Sequence, residues 1–158
     1  QIQSIESTLR YSGQSGGQYN ACYDIWFANS PPNQEYQDGI DGFVMIWLRD
    51  PSDKQAIGSK VGSTSIADMT WDIWVGPRGD GPKGYNNAPV VSFVNPQEND
   101  NSRAQNFVNK NILEFITAAS AHGISSSMYL TDIFGGFEIW SGGAGLKVDE
   151  FKAIVNKK

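Results

Sequence analysis

The sequence predicts an all-β protein, a β-sandwich or jelly roll, with a single helix lying against a sheet face. Three observations carry this. Runs rich in aromatic and β-branched residues recur along the chain. Turn signals separate them at short intervals, among 17 glycines and 7 prolines in 158 residues. Only one segment has a helical period. The length suits one domain, residues 1–158, with a sizeable core.

Taken in order, Ile2 to Tyr11 is a weak strand, followed by a Ser/Gly/Gln loop from Gly13 to Gly17. Tyr19 to Phe27 is a clear strand, closed by Pro31-Pro32-Asn33. Phe43 to Leu48 is the next, ended by Asp50-Pro51-Ser52-Asp53. Ala56 to Val61 is a weaker candidate and Thr70 to Val75 a strong one. Gly76 to Gly84 reads as loop, because proline removes donors and glycine is unfavourable inside regular structure. Val90 to Val94 is a strand. Ser102 with Gln105 makes a capping-box pattern ahead of Val108, Ile112, Phe115, Ile116 and Ala119, one apolar helical stripe that Gly123 stops. His122 falls at that helix end, where a cation suits the dipole. Met128 to Trp140 and Gly145 to Val155 complete the strands.

Composition narrows the chemistry. Lys and Arg total 12 against 17 Asp and Glu, a net charge of -5, with no basic patch. That argues against nucleic acid and against an anionic membrane surface. No apolar run approaches the roughly 18 residues of a membrane span. Cys22 and His122 are the sole cysteine and histidine, so neither an internal disulfide nor a Cys/His metal site is expected, and no cofactor is. Arg78-Gly79-Asp80 is a chance tripeptide, and the glycine runs lack the Lys-Ser/Thr of a phosphate loop. Carboxylates, amides, hydroxyls and aromatics remain.

Strand alternation sorts these residues into faces. Asn20, Cys22, Asp24 and Trp26 share one face, while Tyr19, Ala21, Tyr23, Ile25 and Phe27 read as core. Val44, Ile46 and Leu48 oppose Phe43, Met45 and Trp47, with Asp41 just upstream. Asp132, Phe134, Gly136, Glu138 and Trp140 share a third face. Each strand thus pairs a core face with one that mixes large rings and isolated polar groups. Such a surface suits sugars, whose ring faces stack on aromatics and whose hydroxyls need convergent partners. It also suits plain burial between two layers. Cys22 is expected as a buried free thiol.

Three motifs carry a resemblance. Asn20-Ala21-Cys22-Tyr23-Asp24-Ile25-Trp26-Phe27, Met45-Ile46-Trp47-Leu48, and Gly136-Phe137-Glu138-Ile139-Trp140 with Gly142-Gly143-Ala144-Gly145-Leu146 resemble, in order, three strands of glycoside hydrolase family 12. That family holds endoglucanases and xyloglucanases. The resemblance implies a jelly roll of two stacked antiparallel sheets, a concave cleft, one helix on the convex face, secretion, and retaining attack on β-1,4-glucans. It places Glu138 at the acid/base position, Asp24 at the carboxylate beside the nucleophile, and Asn20 and Met45 in the cleft. Retaining chemistry needs two carboxyl groups about 5–5.5 Å apart. At the nucleophile position this chain has Phe43, and a polar position near the acid/base is Phe134. The resemblance also implies further N-terminal strands, for which the sequence offers no counterpart.

Three functions follow as expectations. The chain binds a β-glucan oligosaccharide without cleaving it, as a binding or decoy protein, in a cleft of Asn20, Trp26, Phe43, Met45, Trp47, Phe134 and Trp140. Alternatively, a closed apolar cavity uses Glu138 and Asp24 for acid/base chemistry on a small apolar molecule. Or Glu138 works with Asp24 or Asp41 as a rebuilt hydrolytic pair. A dimer or partner chain is expected over exposed strand edges.

Overall fold

A computed structural model describes residues 1–13, 16–32, 39–51, 53–79, 87–96 and 104–158. Nine strands are present among them: β1 (Ile2–Ser12), β2 (Tyr19–Ala28), β3 (Gly42–Arg49), β4 (Ser59–Ile66), β5 (Met69–Pro77), β6 (Pro89–Val94), β7 (Asn106–Asn111), β8 (Tyr129–Ile139) and β9 (Lys147–Lys157). Helix α1 (Leu113–Ala119) runs into a 3₁₀ turn at Ser120–His122. The order β4-β5-β6-β3-β2-β8 forms a six-stranded sheet, and β7-β1-β9 a three-stranded one.

The expected core faces meet between these sheets. Ala21, Tyr23, Ile25 and Phe27 of β2 and Val44, Ile46 and Leu48 of β3 are buried with Ile5 and Leu9 of β1 and Phe107 of β7. The Ser7 hydroxyl donates to the Lys152 carbonyl at 2.6 Å and lies 3.0 Å from the Tyr23 hydroxyl. This buried polar group ties β1, β2 and β9 together. Helix α1 inserts Phe115 against Trp71 and Phe93, with ring centroids 5.1 and 5.2 Å away and edge-to-face geometry. It sits on the core side of the six-stranded sheet, leaving the opposite face of that sheet clear.

Two expectations need correction. The helix start expected at Ser102 lies outside the described residues; Ala104 and Gln105 are helical, but the helix does not continue through 106–111. The stretch expected as its first half is β7, which pairs with β1, and the helix follows from an N-cap at Ile112. Asn109 has φ of 51°, which a helix excludes and asparagine tolerates. The Asn111 carboxamide oxygen accepts from the Ile5 and Leu113 backbone N–H groups, joining the strand end to the helix start. Phe107 is buried and Val108 exposed, a strand alternation in place of the helical stripe. The second correction concerns strand sense, for β3 and β6 pair parallel. The chain leaves β3, reaches the far edge, and returns through β4, β5 and β6 by two reversals, so β6 shares the direction of β3.

Phe115→Ala removes the ring that joins helix to sheet. It should lower unfolding stability by about 3–5 kcal/mol in urea titration. A loss below about 1 kcal/mol would mean that the helix is not part of the core.

Candidate functional site

The clear face of the six-stranded sheet collects every side chain singled out for the cleft. Register does this. In β2, Cys22 lies opposite Trp47, Asp24 opposite Met45, and Trp26 opposite Phe43 of β3. On its other side Asn20 lies opposite Glu138, Cys22 opposite Gly136, and Asp24 opposite Phe134 of β8. Gly136 has no side chain and open space before it, which leaves a hollow. A pocket of about 250 Å³ fills that hollow, lined by Cys22, Asp24, Met45, Phe134, Gly136 and Glu138 among others. It opens to solvent past the exposed Phe134 and Glu138, unlike the closed cavity expected for a small apolar molecule.

Ring contacts divide the aromatics into two walls. On one side the Trp26 ring meets Phe134 at 5.0 Å and Phe43 at 5.8 Å, and the Arg78 guanidinium stands 5.8 Å from the Phe43 ring. On the other, Trp47 meets Trp140 at 6.1 Å, with the Lys54 ammonium 6.0 Å from Trp140. Phe43, Met45 and Trp47 form a buried layer, whereas Trp140 is 42% exposed. Glu138 and Phe43 belong to opposite sides. Their partners Asn20 and Trp26 are six residues apart on β2, about 20 Å of strand.

Polar groups on this face are held firmly or left open. Asn20 is fully buried. Its Nδ2 donates to Glu138 Oε2 at 2.8 Å, and its Oδ1 accepts from the Glu138 N–H at 3.0 Å. This two-point grip orients a carboxylate whose outer part is exposed. Burial pushes the Asp24 carboxyl up to about 6. The Trp26 indole pulls it down, though no hydrogen bond of normal geometry joins them; the Glu138 charge raises it and Arg78 lowers it. Burial, reinforced by the Glu138 and Asp24 charges, lifts the Cys22 thiol well above its usual range, so it is not a ready nucleophile. Among the described residues, five buried side-chain polar atoms lack a partner, and four are on this face: Asp24 Oδ1, Trp26 Nε1, Trp47 Nε1 and Ser92 Oγ.

Asp41 is not brought to the pocket. Its carboxylate accepts the Asn29 N–H at 2.7 Å and its own N–H donates to the Phe27 carbonyl, closing the turn after β2. Ser92 and Arg78 belong to the face and were not anticipated. Alternation of Val90, Ser92 and Val94 carried a signal for the serine; Arg78 carried none, because it follows the end of β5, which the sheet order places two strands from β3. No three His, Cys, Asp or Glu side chains among the described residues gather as a metal site.

The family model of glycosyl hydrolase family 12 matches residues 1–156. The chain belongs to that family. A probable cellulase, Cel12b of Mycobacterium tuberculosis, is 33% identical over 99% of this chain and 93% of its own length. Endoglucanase S of Pectobacterium parmentieri is 28% identical over 96% of this chain, but over 54% of its own length. Among solved structures, the endo-1,4-β-glucanase CelB2 superposes with a TM-score of 0.81 at 30% identity, covering 99% of this chain and 64% of CelB2. A family 12 xyloglucanase from Bacillus licheniformis gives 0.79 at 25%, covering 97% and 62%. Apart from Cel12b, this family 12 chain therefore spans about half to two thirds of these relatives. No helix among its described residues is long and apolar enough to cross a membrane.

The Asp24 carboxyl has a thermodynamic signature. It ionises near the ordinary value in the unfolded chain and at about 6 in the fold. The fold thus holds the proton more tightly, and stability is lost as pH rises through that window. Asp24→Asn should be more stable than the parent above pH 6, by roughly 2 kcal/mol, with the difference gone below about pH 4. Urea unfolding across pH checks this; a pH-independent difference would contradict it.

Proposed function

We propose that this family 12 chain holds a β-1,4-glucan between its two aromatic walls and does not hydrolyse it by the retaining route. One observation carries the reading: the position at which the sequence resemblance implies the family's nucleophile holds the Phe43 ring, 4% exposed and packed against Trp26. A phenyl ring has no lone pair to attack an anomeric carbon. Retaining hydrolysis needs a second carboxylate about 5–5.5 Å from the acid/base, and Glu138 has none at that register.

What remains is a binding surface. Exposed Trp140 and Phe134 offer faces for sugar rings. The names of its relatives, endoglucanases and xyloglucan-specific glucanases, support a β-1,4-glucan as the ligand class. Glu138, oriented by Asn20, becomes a hydroxyl acceptor in this role.

Calorimetry with cellohexaose and a xyloglucan fragment tests binding. A dissociation constant of about 1 mM or tighter is expected. Trp140→Ala should weaken it about five- to tenfold, the share of one stacked ring. In a reducing-sugar assay the parent should release nothing above buffer. Hydrolysis by the parent that Glu138→Gln abolishes would overturn the reading and favour a rebuilt pair with Asp24.

A further inference from the structure

The pocket in front of Gly136 is acidic in a way that a neutral sugar leaves unused. Two of the side chains that line it, Asp24 and Glu138, are acids, and among its described lining residues there is no lysine, arginine or histidine. The cations on this face stand at the two walls instead, Arg78 beside Phe43 and Lys54 beside Trp140. The two acids come from neighbouring strands: Asp24 lies on β2 opposite Phe134, and Glu138 on β8 opposite Asn20. Both line one hollow of about 250 Å³, room for a single sugar ring. Asn20 grips the Glu138 side chain through Oε2, and no hydrogen bond among the described residues engages Oε1. Phe134 adds an aromatic surface, which favours a cation over a neutral group. The two charges also act on each other: after burial, the Glu138 charge raises the Asp24 carboxyl, and both charges raise the Cys22 thiol.

We propose that this pocket takes an amino sugar, so that the groove prefers a β-1,4-linked glucosamine oligomer over the neutral glucan. The inference rests on the reading of the groove as a β-1,4-glycan-binding surface. An ammonium on carbon 2 takes the place of the glucose hydroxyl there and adds a positive charge. Near Asp24 and Glu138 it makes charge-assisted hydrogen bonds, roughly twice as strong as neutral ones. It also relieves the repulsion between the two carboxylates, which a hydroxyl cannot do. An acetylated amine occupies the same place on the ring without the charge and gains neither benefit.

Calorimetry at about pH 6, where the amines are protonated, compares three hexamers: cellohexaose, the glucosamine hexamer and the N-acetylglucosamine hexamer. The glucosamine hexamer should bind at least about fivefold tighter than cellohexaose, the margin of a charge-assisted contact over a neutral one. The acetylated hexamer should bind no tighter than cellohexaose. Added salt should shrink the margin, because screening acts on the charge. Asp24→Asn and Glu138→Gln should each reduce the margin and together abolish it. Glu114→Gln, which removes an acid from helix α1 behind the sheet, should leave it unchanged. The cellohexaose arm alone tests the underlying reading of the groove. A glucosamine hexamer that binds no tighter than a bound cellohexaose, or a margin that survives the double substitution, would overturn the amino-sugar proposal and leave glucan binding standing. Binding of none of the three would overturn both.

Discussion

The register of β2 between β3 and β8 is the constraint on which the rest depends. Its odd-numbered residues build the core with β1 and β7, and its even-numbered residues line the groove. A slip of one residue would exchange the two sets, driving Asp24 into the core and Tyr23 into solvent. The fold resists this because Tyr23 is held by Ser7 and by Phe107, 6.0 Å away, while Asn20 is held by Glu138. Core packing and groove chemistry therefore fix the same register from opposite faces. The pocket follows from it, since Gly136 lies opposite Cys22 in that register alone.

This explains which parts were legible in the sequence. Alternation is a local rule, so the sorting of Tyr19–Phe27, Phe43–Leu48 and Asp132–Trp140 into faces carried over to the sheet. The family motifs lie on those same three strands, which is why one set of residues shaped both readings. The helix boundary was not legible. A capping pattern and an apolar stripe over 102–119 outweighed the asparagines at 106, 109 and 111, yet the edge of β1 needs a partner and Asn109 adopts a left-handed backbone that ends any helix. The parallel β3–β6 pair was not legible either, because it depends on where the β4–β5 hairpin docks. Arg78 reaches the groove through that same non-local path.

The groove combines a family frame with altered chemistry. Two aromatic walls, the Asn20–Glu138 grip and a raised Asp24 stand on a scaffold shared with glucanases. At the nucleophile register a buried phenyl ring joins the apolar layer of Met45, Trp47, Val90 and Val94. That ring extends the hydrophobic cluster beneath the groove floor. Burial is also what raises Asp24, so the apolar floor and the raised carboxyl have one physical source.

The central claim is the proposal that this chain does not act by the retaining route, through a covalent glycosyl intermediate. A 2-deoxy-2-fluoro-β-cellobioside with a good leaving group traps such an intermediate, because fluorine slows its hydrolysis. Intact-mass measurement after incubation should show the unmodified chain alone. A fluoroglycosyl unit on the parent chain, mapped to Asp24 or to any other residue, would contradict the account.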